Sequence, residues 1–215
     1  MDGRTFYRRY GKRAFDVVVS AAAIVVAAPV MAGVALAVRV KLGSPVIFRQ
    51  PRAGKGGETF HIYKFRSMTD ERGPNGQLLP DEMRLTPFGK FLRKMSLDEL
   101  PELYNILQGD MSLVGPRPLL TKYVPLYTPR QARRHEVTPG LTGWVAIHGR
   151  NTRSWEERFE QDVFYVENQD FKLDLYVIWK TIAVVLSREN VDPVGRAVME
   201  DFTGTPAGAA PTAAP

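Results

Sequence analysis

The sequence predicts an α+β protein: a mostly helical, membrane-associated cytosolic domain carrying a small β-hairpin, with one N-terminal helix in the bilayer. Three features predict it. Residues 17–38 contain no charged side chain and a single hydroxyl, Ser20, and about 20 apolar residues suffice for a membrane helix. Residues 45–49 and 59–65 read as two strands joined by the glycine-rich turn PRAGKGGE. The rest of the chain alternates helical periodicity with polar, turn-forming stretches. The expected division is residues 1–40 for the basic N-terminus and membrane helix, 41–202 for the main domain, and 203–215, TGTPAGAAPTAAP, for a disordered low-complexity tail.

At 215 residues the chain is long enough to bury a core. It has no cysteine, which excludes a disulfide framework and a thiolate metal site. A net charge of +6 favours anionic partners, whether nucleic acid, acidic lipid or a phosphorylated substrate.

The N-terminal segment interleaves Arg4, Arg8, Arg9, Lys12 and Arg13 with Phe6, Tyr7 and Tyr10, a composition suited to an anionic lipid surface. Beyond the apolar run stand Arg39, Lys41, Arg49, Arg52 and Lys55. Basic residues mark the cytoplasmic side, so both ends belong there. Pro29 removes a hydrogen bond near the middle of the run. A helix that enters, bends at Pro29 and returns to the same face satisfies both observations; a kinked full span is the alternative, since proline is tolerated in spanning helices. The length of the run and the basic segment after it argue against a cleaved signal.

In the second strand, alternation puts Phe60, Ile62, Lys64 and Arg66 on one side, so two cations extend an apolar face. Residues 69–81 read as a surface loop, and PRQARRHEV opens a short helix. Gly140, Gly143 and Gly149 lie beside Trp144, His148 and Arg150; their spacing fits tight turns near a ligand, a close backbone approach, or plain loop chemistry. Residues 171–186 form an apolar helix with Leu175, Trp179, Ile182 and Leu186 near one face, suited to a core or a membrane interface. His61, His135 and His148 lack metal-ligand spacing.

The centre of the chain is residues 88–118, FGKFLRKMSLDELPELYNILQGDMSLVGPRP. Phe88, Phe91, Leu92 and Met95 fall at helical spacing, with Lys90, Arg93 and Lys94 on other faces. Asp98 as N-cap of a following helix places Pro101 in its first turn, where no N–H is required. Asp98 and Glu99 would then meet the positive end of a helix dipole beside Arg93 and Lys94, both of which lower a carboxylate pKa. A positioned, ionised aspartate is a competent nucleophile toward phosphorus. Acidic residues at a helix start are also ordinary capping residues.

Taken in order, KRAFD before the apolar run, VIFRQPRAGKGG, FHIYKFRSM, LTPFGKFLRKMSLDELPELYNILQGDMSLVGPRP and PGLTGWVAIHGRN resemble the bacterial sugar transferase family, the monotopic phosphoglycosyl transferases, over about residues 11–187. The resemblance implies a catalytic core on the cytoplasmic face of the bacterial inner membrane, anchored by a re-entrant helix broken at Pro29. It implies transfer of a sugar 1-phosphate from a UDP-sugar to polyprenol phosphate, with release of UMP, at the start of glycoconjugate or exopolysaccharide synthesis. Asp98 matches the family nucleophile that forms a phosphosugar-aspartyl intermediate, and Glu99 its partner in positioning or proton transfer. Magnesium is expected at Asp98. Arg93 matches the arginine near the polyprenol phosphate, Arg117 the one associated with the nucleotide, and Lys64 and Arg66 the basic residues on the strand leading to the site; Arg150 lies in the glycine-rich segment. Membrane lipid is an expected partner and nucleic acid is not. Two positions depart from the family: Ala28-Pro29 replaces Ser-Pro, and His148 stands where an amide is usual. The competing reading is a non-enzymatic, membrane-tethered protein binding acidic lipid or nucleic acid through its basic surface. That reading leaves Asp98, Glu99 and the rigid Pro-Arg-Pro without a purpose.

Overall fold

The computed structural model describes residues 3–148, 154–187 and 201–205. A long helix, α1 (Gly3–Leu42), leads into an antiparallel hairpin, β1 (Ile47–Ala53) and β2 (Thr59–Phe65). Helices α2 (Pro87–Lys94) and α3 (Glu102–Gln108) follow, then strands β3 (Ser112–Val114) and β4 (Gly140–Thr142), and helices α4 (Trp155–Asn168) and α5 (Phe171–Ser187). The architecture is α+β and dominated by helix, with the hairpin in the expected place. The first strand starts and ends later than the sequence indicated, pairing Ile47 with Phe65 through Ala53 with Thr59. The parallel pair β3–β4, Ser112 with Gly140 and Val114 with Thr142, was not foreseen. Each strand is three residues long, too short for a periodic signal.

Helix α1 is long and apolar enough to cross a membrane, and only 11% of its most apolar stretch is buried, which distinguishes it from the core helix of a soluble domain. No non-helical residue marks the expected break at Pro29: the α-helical part, Lys12–Leu42, includes it. A proline removes one hydrogen bond, and an apolar helix with good propensity on both sides can continue past that loss. Both halves of α1 nevertheless rest on the same domain. Phe15, Val19, Ala23 and Ile24 pack against the cluster of Leu103, Ile106, Met111 and Val177. Met31, Val34, Ala35 and Val38 pack against Phe65 and Leu92. Between them Val25, Val26 and Val30 are exposed.

Polar groups fasten the start of α1. The Arg13 guanidinium donates to the carbonyls of Ile106 and Leu107, which are left open at the C-terminal end of α3. Asp174, fully buried on α5, accepts from the hydroxyls of Tyr7 at 2.6 Å and Tyr165 at 2.7 Å, and pairs with Lys12 at 2.7 Å. Asp16 accepts the Leu113 backbone N–H at 3.1 Å. These buried charges are paired and hydrogen-bonded, the condition under which burial is tolerated.

Gly115, Gly140 and Gly143 interlock. A Cβ on Gly140 would stand 2.1 Å from the Gly115 nitrogen, and one on Gly143 would stand 2.2 Å from the Gly115 carbonyl oxygen. Only glycine permits this crossing, so of the sequence alternatives it is the close backbone approach that is realised. It presses residues 140–143 against the turn that presents Arg117. At the other end of the described chain, Phe202 is buried against Tyr123 and Phe159, and the Gln131 side-chain amide donates to Thr205 Oγ1 at 2.7 Å. Thr203 is exposed and Thr205 is held by that one hydrogen bond; residues 206–215 lie outside the described residues.

Candidate active site

The site forms where α2 gives way to α3. Thr86 caps α2 by accepting from the Gly89 N–H, and Leu92 buries its apolar side while Phe91 and Met95 are exposed. Ser96 then adopts a left-handed conformation, φ 52°, which ends the helix and swings the chain into a single 3-10 turn, Leu97–Glu99. Helix α3 starts only at Glu102, with Pro101 as its N-cap residue. The sequence assignment of Asp98 as N-cap is thus corrected. Pro101 does sit at a helix start, but Asp98 lies in the preceding turn and gains nothing from the α3 dipole.

The expected lowering of the Asp98 pKa is reversed as well, chiefly by burial. Asp98 is 7% exposed. Burial and the neighbouring Glu99 charge push its carboxyl above the usual range, against the pull of Lys64 and Arg93. Among the described residues no side chain hydrogen-bonds to it. Glu99 is its opposite. Its carboxylate receives Lys64 Nζ at 2.7 Å and Arg117 Nη2 at 2.8 Å on one oxygen. Burial pushes its pKa up, but Arg117 and Lys64 outweigh that and hold it well below the ordinary carboxylate value. Lys64 arrives by strand alternation: Ile62 enters the core, and two residues on Lys64 reaches the acids.

Arg93 lies within electrostatic reach of Asp98 and donates from Nε to the buried Ser67 hydroxyl at 3.0 Å. Arg117, half-exposed, is reached from the other side. Of the residues expected at the site, Asp98, Glu99, Lys64, Arg93 and Arg117 come together. Arg66 does not. Its guanidinium donates to the carbonyls of Leu42 and Ser44, each at 3.0 Å, and of Met68 at 3.1 Å, and to Asp70 at 2.6 Å. These bonds cap the end of α1, so Arg66 serves the fold, and none of them reaches the two carboxylates. Arg66→Gln is expected to lower stability by roughly 2 kcal/mol, as charged hydrogen bonds to partly buried carbonyls are lost, while the KM for donor stays within twofold; thermal unfolding and steady-state kinetics check this. Arg150 lies outside the described residues.

Two features escaped the sequence reading. Glu102, 2% exposed, has Oε1 3.1 Å from Lys64 Nζ, so one lysine serves two carboxylates. Burial, opposed by Lys64, raises the Glu102 pKa to about 7. The signal was present as ELPE, a second acid three residues after Glu99. Arg134 is 3% exposed, pairs with Asp162 at 2.8 Å, and donates to the Arg117 carbonyl at 2.7 Å, which fixes the backbone of the Pro-Arg-Pro turn. A cavity of about 250 Å³ opens beside that turn, bounded by Arg117, Arg134, Thr142, Trp155, Arg158 and Phe159.

A buried aspartate without a side-chain hydrogen bond among the described residues, a neighbouring glutamate paired with two cations, and a cavity lined by arginine and aromatic side chains lie together here. The family model described as bacterial sugar transferase matches residues 7–188, and the chain belongs to that family. It is 52% identical over 194 residues to the uncharacterized sugar transferase EpsL of Bacillus subtilis (strain 168), covering 90% of this chain and 96% of that protein. It is 39% identical over 184 residues to the UDP-N-acetylgalactosamine-undecaprenyl-phosphate N-acetylgalactosaminephosphotransferase of Aeromonas hydrophila, covering 82% of this chain but 44% of that protein. A UDP-glucose:undecaprenyl-phosphate glucose-1-phosphate transferase of Caulobacter vibrioides is 37% identical over 189 residues, covering 83% of this chain and 71% of that protein.

Proposed function

We propose that this protein transfers a sugar 1-phosphate from a UDP-sugar to polyprenol phosphate through a covalent intermediate on Asp98. The observation that carries the reading is the contrast between two adjacent carboxylates: Glu99 locked by Lys64 and Arg117, and Asp98 buried with no side-chain hydrogen bond among the described residues. The names of the Aeromonas and Caulobacter relatives support the donor and acceptor classes.

In the first step an Asp98 carboxylate oxygen attacks the β-phosphorus of the UDP-sugar. The bond from that phosphorus to the bridging oxygen breaks, and UMP leaves with the electron pair. In the second, a phosphate oxygen of the acceptor attacks the same phosphorus, the acyl phosphate bond breaks, and Asp98 is regenerated beneath a polyprenyl diphosphate sugar. A carboxylate raised in pKa by burial is the more basic and hence the stronger nucleophile once ionised. Glu99, held ionised, serves to position Lys64 and Arg117 toward phosphate oxygens and has no proton to give. The cavity beside Arg117 suits the nucleotide, with Trp155 at its wall available to a base.

A hard cation fits this donor set, because magnesium is ordinarily held by one or two carboxylates together with substrate phosphate oxygens. Asp98 would hold it, and it would neutralise charge that otherwise repels an anionic nucleophile. The test uses protein in nanodiscs with a UDP-sugar and magnesium. Release of UMP that depends on polyprenol phosphate is expected; no release with any UDP-sugar and acceptor overturns the reading.

The re-entrant arrangement on the cytoplasmic face of the membrane belongs to the same proposal. It is supported by the fastening of both ends of α1 to one domain, Arg13 at the start and the Leu42 carbonyl at the end, with the exposed valines between them. A span would carry one of those ends to the opposite face. In a chain without native cysteine, Thr5→Cys and Lys41→Cys are expected to react with an impermeant thiol reagent from the same side. Reaction from opposite sides would mean a span.

A further inference from the structure

A second cavity of about 250 Å³ lies on the other side of the carboxylates from the arginine-lined one. Its walls are apolar: Val19 of α1, Leu100 and Leu103, Leu113, and Ile178 of α5. Glu99 and Ser96 are at its head. The two cavities share the wall formed by Leu141 and Thr142, and the Glu99–Arg117 ion pair stands between them, Glu99 lining one and Arg117 the other. The Thr142 and Thr181 hydroxyls, 2.7 Å apart, tie β4 to α5 along the apolar side. Outward from its rim, Ile182, Trp179 and Leu175 continue as an exposed apolar stripe on α5.

We propose that this second cavity receives the first prenyl carbons of the acceptor lipid, so that donor and acceptor enter from opposite sides of one ion pair. This rests on the transferase reading above. The occupant follows from charge and shape. A chain that is apolar throughout except for one phosphate end matches a cavity whose walls are apolar apart from the mutually bonded Thr142 and Thr181 hydroxyls, with Ser96 and Glu99 at one end and the cations Lys64 and Arg117 bonded to Glu99 there. One wall belongs to the membrane-length helix and the rim opens onto an apolar stripe, so a lipid can enter sideways without its tail crossing water. Because the tail leaves one apolar medium for another, packing, more than hydrophobic transfer, sets the selectivity. Filling the cavity should therefore exclude the acceptor sterically and leave the donor alone.

The experiment is steady-state transfer in nanodiscs, varying a C55 polyprenol phosphate at saturating UDP-sugar and then the reverse. Thr181→Phe fills the wall. Ile182→Trp crowds the rim, and as that side chain is more than half exposed the fold is not at risk. Both are expected to raise the acceptor KM about tenfold while the donor KM stays within twofold. If the parent turns over and both variants keep the parental acceptor KM, the cavity assignment is wrong and the transferase reading survives. If the parent transfers nothing to polyprenol phosphate, both fall.

Discussion

Asp98→Asn is expected to reduce UMP release by about a thousandfold or more, on the scale seen when a covalent nucleophile is removed, while the protein folds at least as well as the parent. The side chains are nearly isosteric, so packing in the turn between α2 and α3 is preserved. What disappears is an oxygen able to bond phosphorus. The stability half of the expectation follows from linkage. The folded-state pKa of Asp98 is raised, by burial first and then by Glu99. A carboxyl raised in this way favours the folded state below its unfolded pKa, and that benefit is lost as pH rises through the folded value. Once pH has risen through the folded value, the ionised group is therefore a cost to the fold, which the amide removes. Thermal unfolding in metal-free buffer at pH 7.5 and initial rates with magnesium test the two halves separately. Peptide mass spectrometry adds a direct readout: parent protein quenched with donor alone should carry a phosphosugar adduct on the peptide containing Asp98, and the variant should not. Parental turnover in Asp98→Asn would remove this residue from the mechanism.

How far the sequence revealed this site depended on whether the deciding interactions were local. The adjacent carboxylates, the cation two residues beyond Ile62 and the Pro-Arg-Pro turn are all legible in short windows, and they do converge. The backbone that presents Asp98 is not, because a left-handed serine has no compositional signature of the kind glycine provides. That one residue separates α2 from a 3-10 turn and inverts the electrostatic expectation for Asp98. Strand alternation correctly put Lys64 and Arg66 on one face but could not assign their partners. Lys64 meets acids from the next helix, whereas Arg66 meets carbonyls at the end of α1, 24 residues earlier in the chain. The Lys12–Asp16–Asp174 cluster joins residues separated by most of the chain, so no periodicity announces it. Glycines fared better: PGLTG and GPRP each look like loop, yet Gly115, Gly140 and Gly143 require one another's missing side chains.

Lys64 forms ion pairs with both Glu99 and Glu102, and its removal is expected to be the most costly single change to the fold of the site. Lys64→Met keeps the aliphatic stem but leaves two buried acids facing each other with only the half-exposed Arg117 to neutralise Glu99. Breaking a buried pair in this way costs about 3–5 kcal/mol. The loss should depend on pH in a definite sense. Burial, opposed by Lys64, already holds the Glu102 pKa near 7, and without the lysine it moves higher. A folded-state pKa above the unfolded one means stability is present at low pH and is lost as pH rises through the folded value. The deficit of Lys64→Met relative to the parent is therefore expected to be largest above pH 7 and to shrink toward pH 5, where Glu102 takes up a proton and one of the two stranded charges vanishes. Adding Glu102→Gln to Lys64→Met should restore part of the lost stability and flatten the dependence. It should not restore transfer, because Glu99 and Arg117 would still lack the lysine that directs them toward phosphate. Unfolding midpoints in detergent from pH 5 to 8 for parent, single and double variants decide the matter. A deficit that does not vary with pH would mean that Glu102 does not change its protonation state in this range, which overturns the expectation.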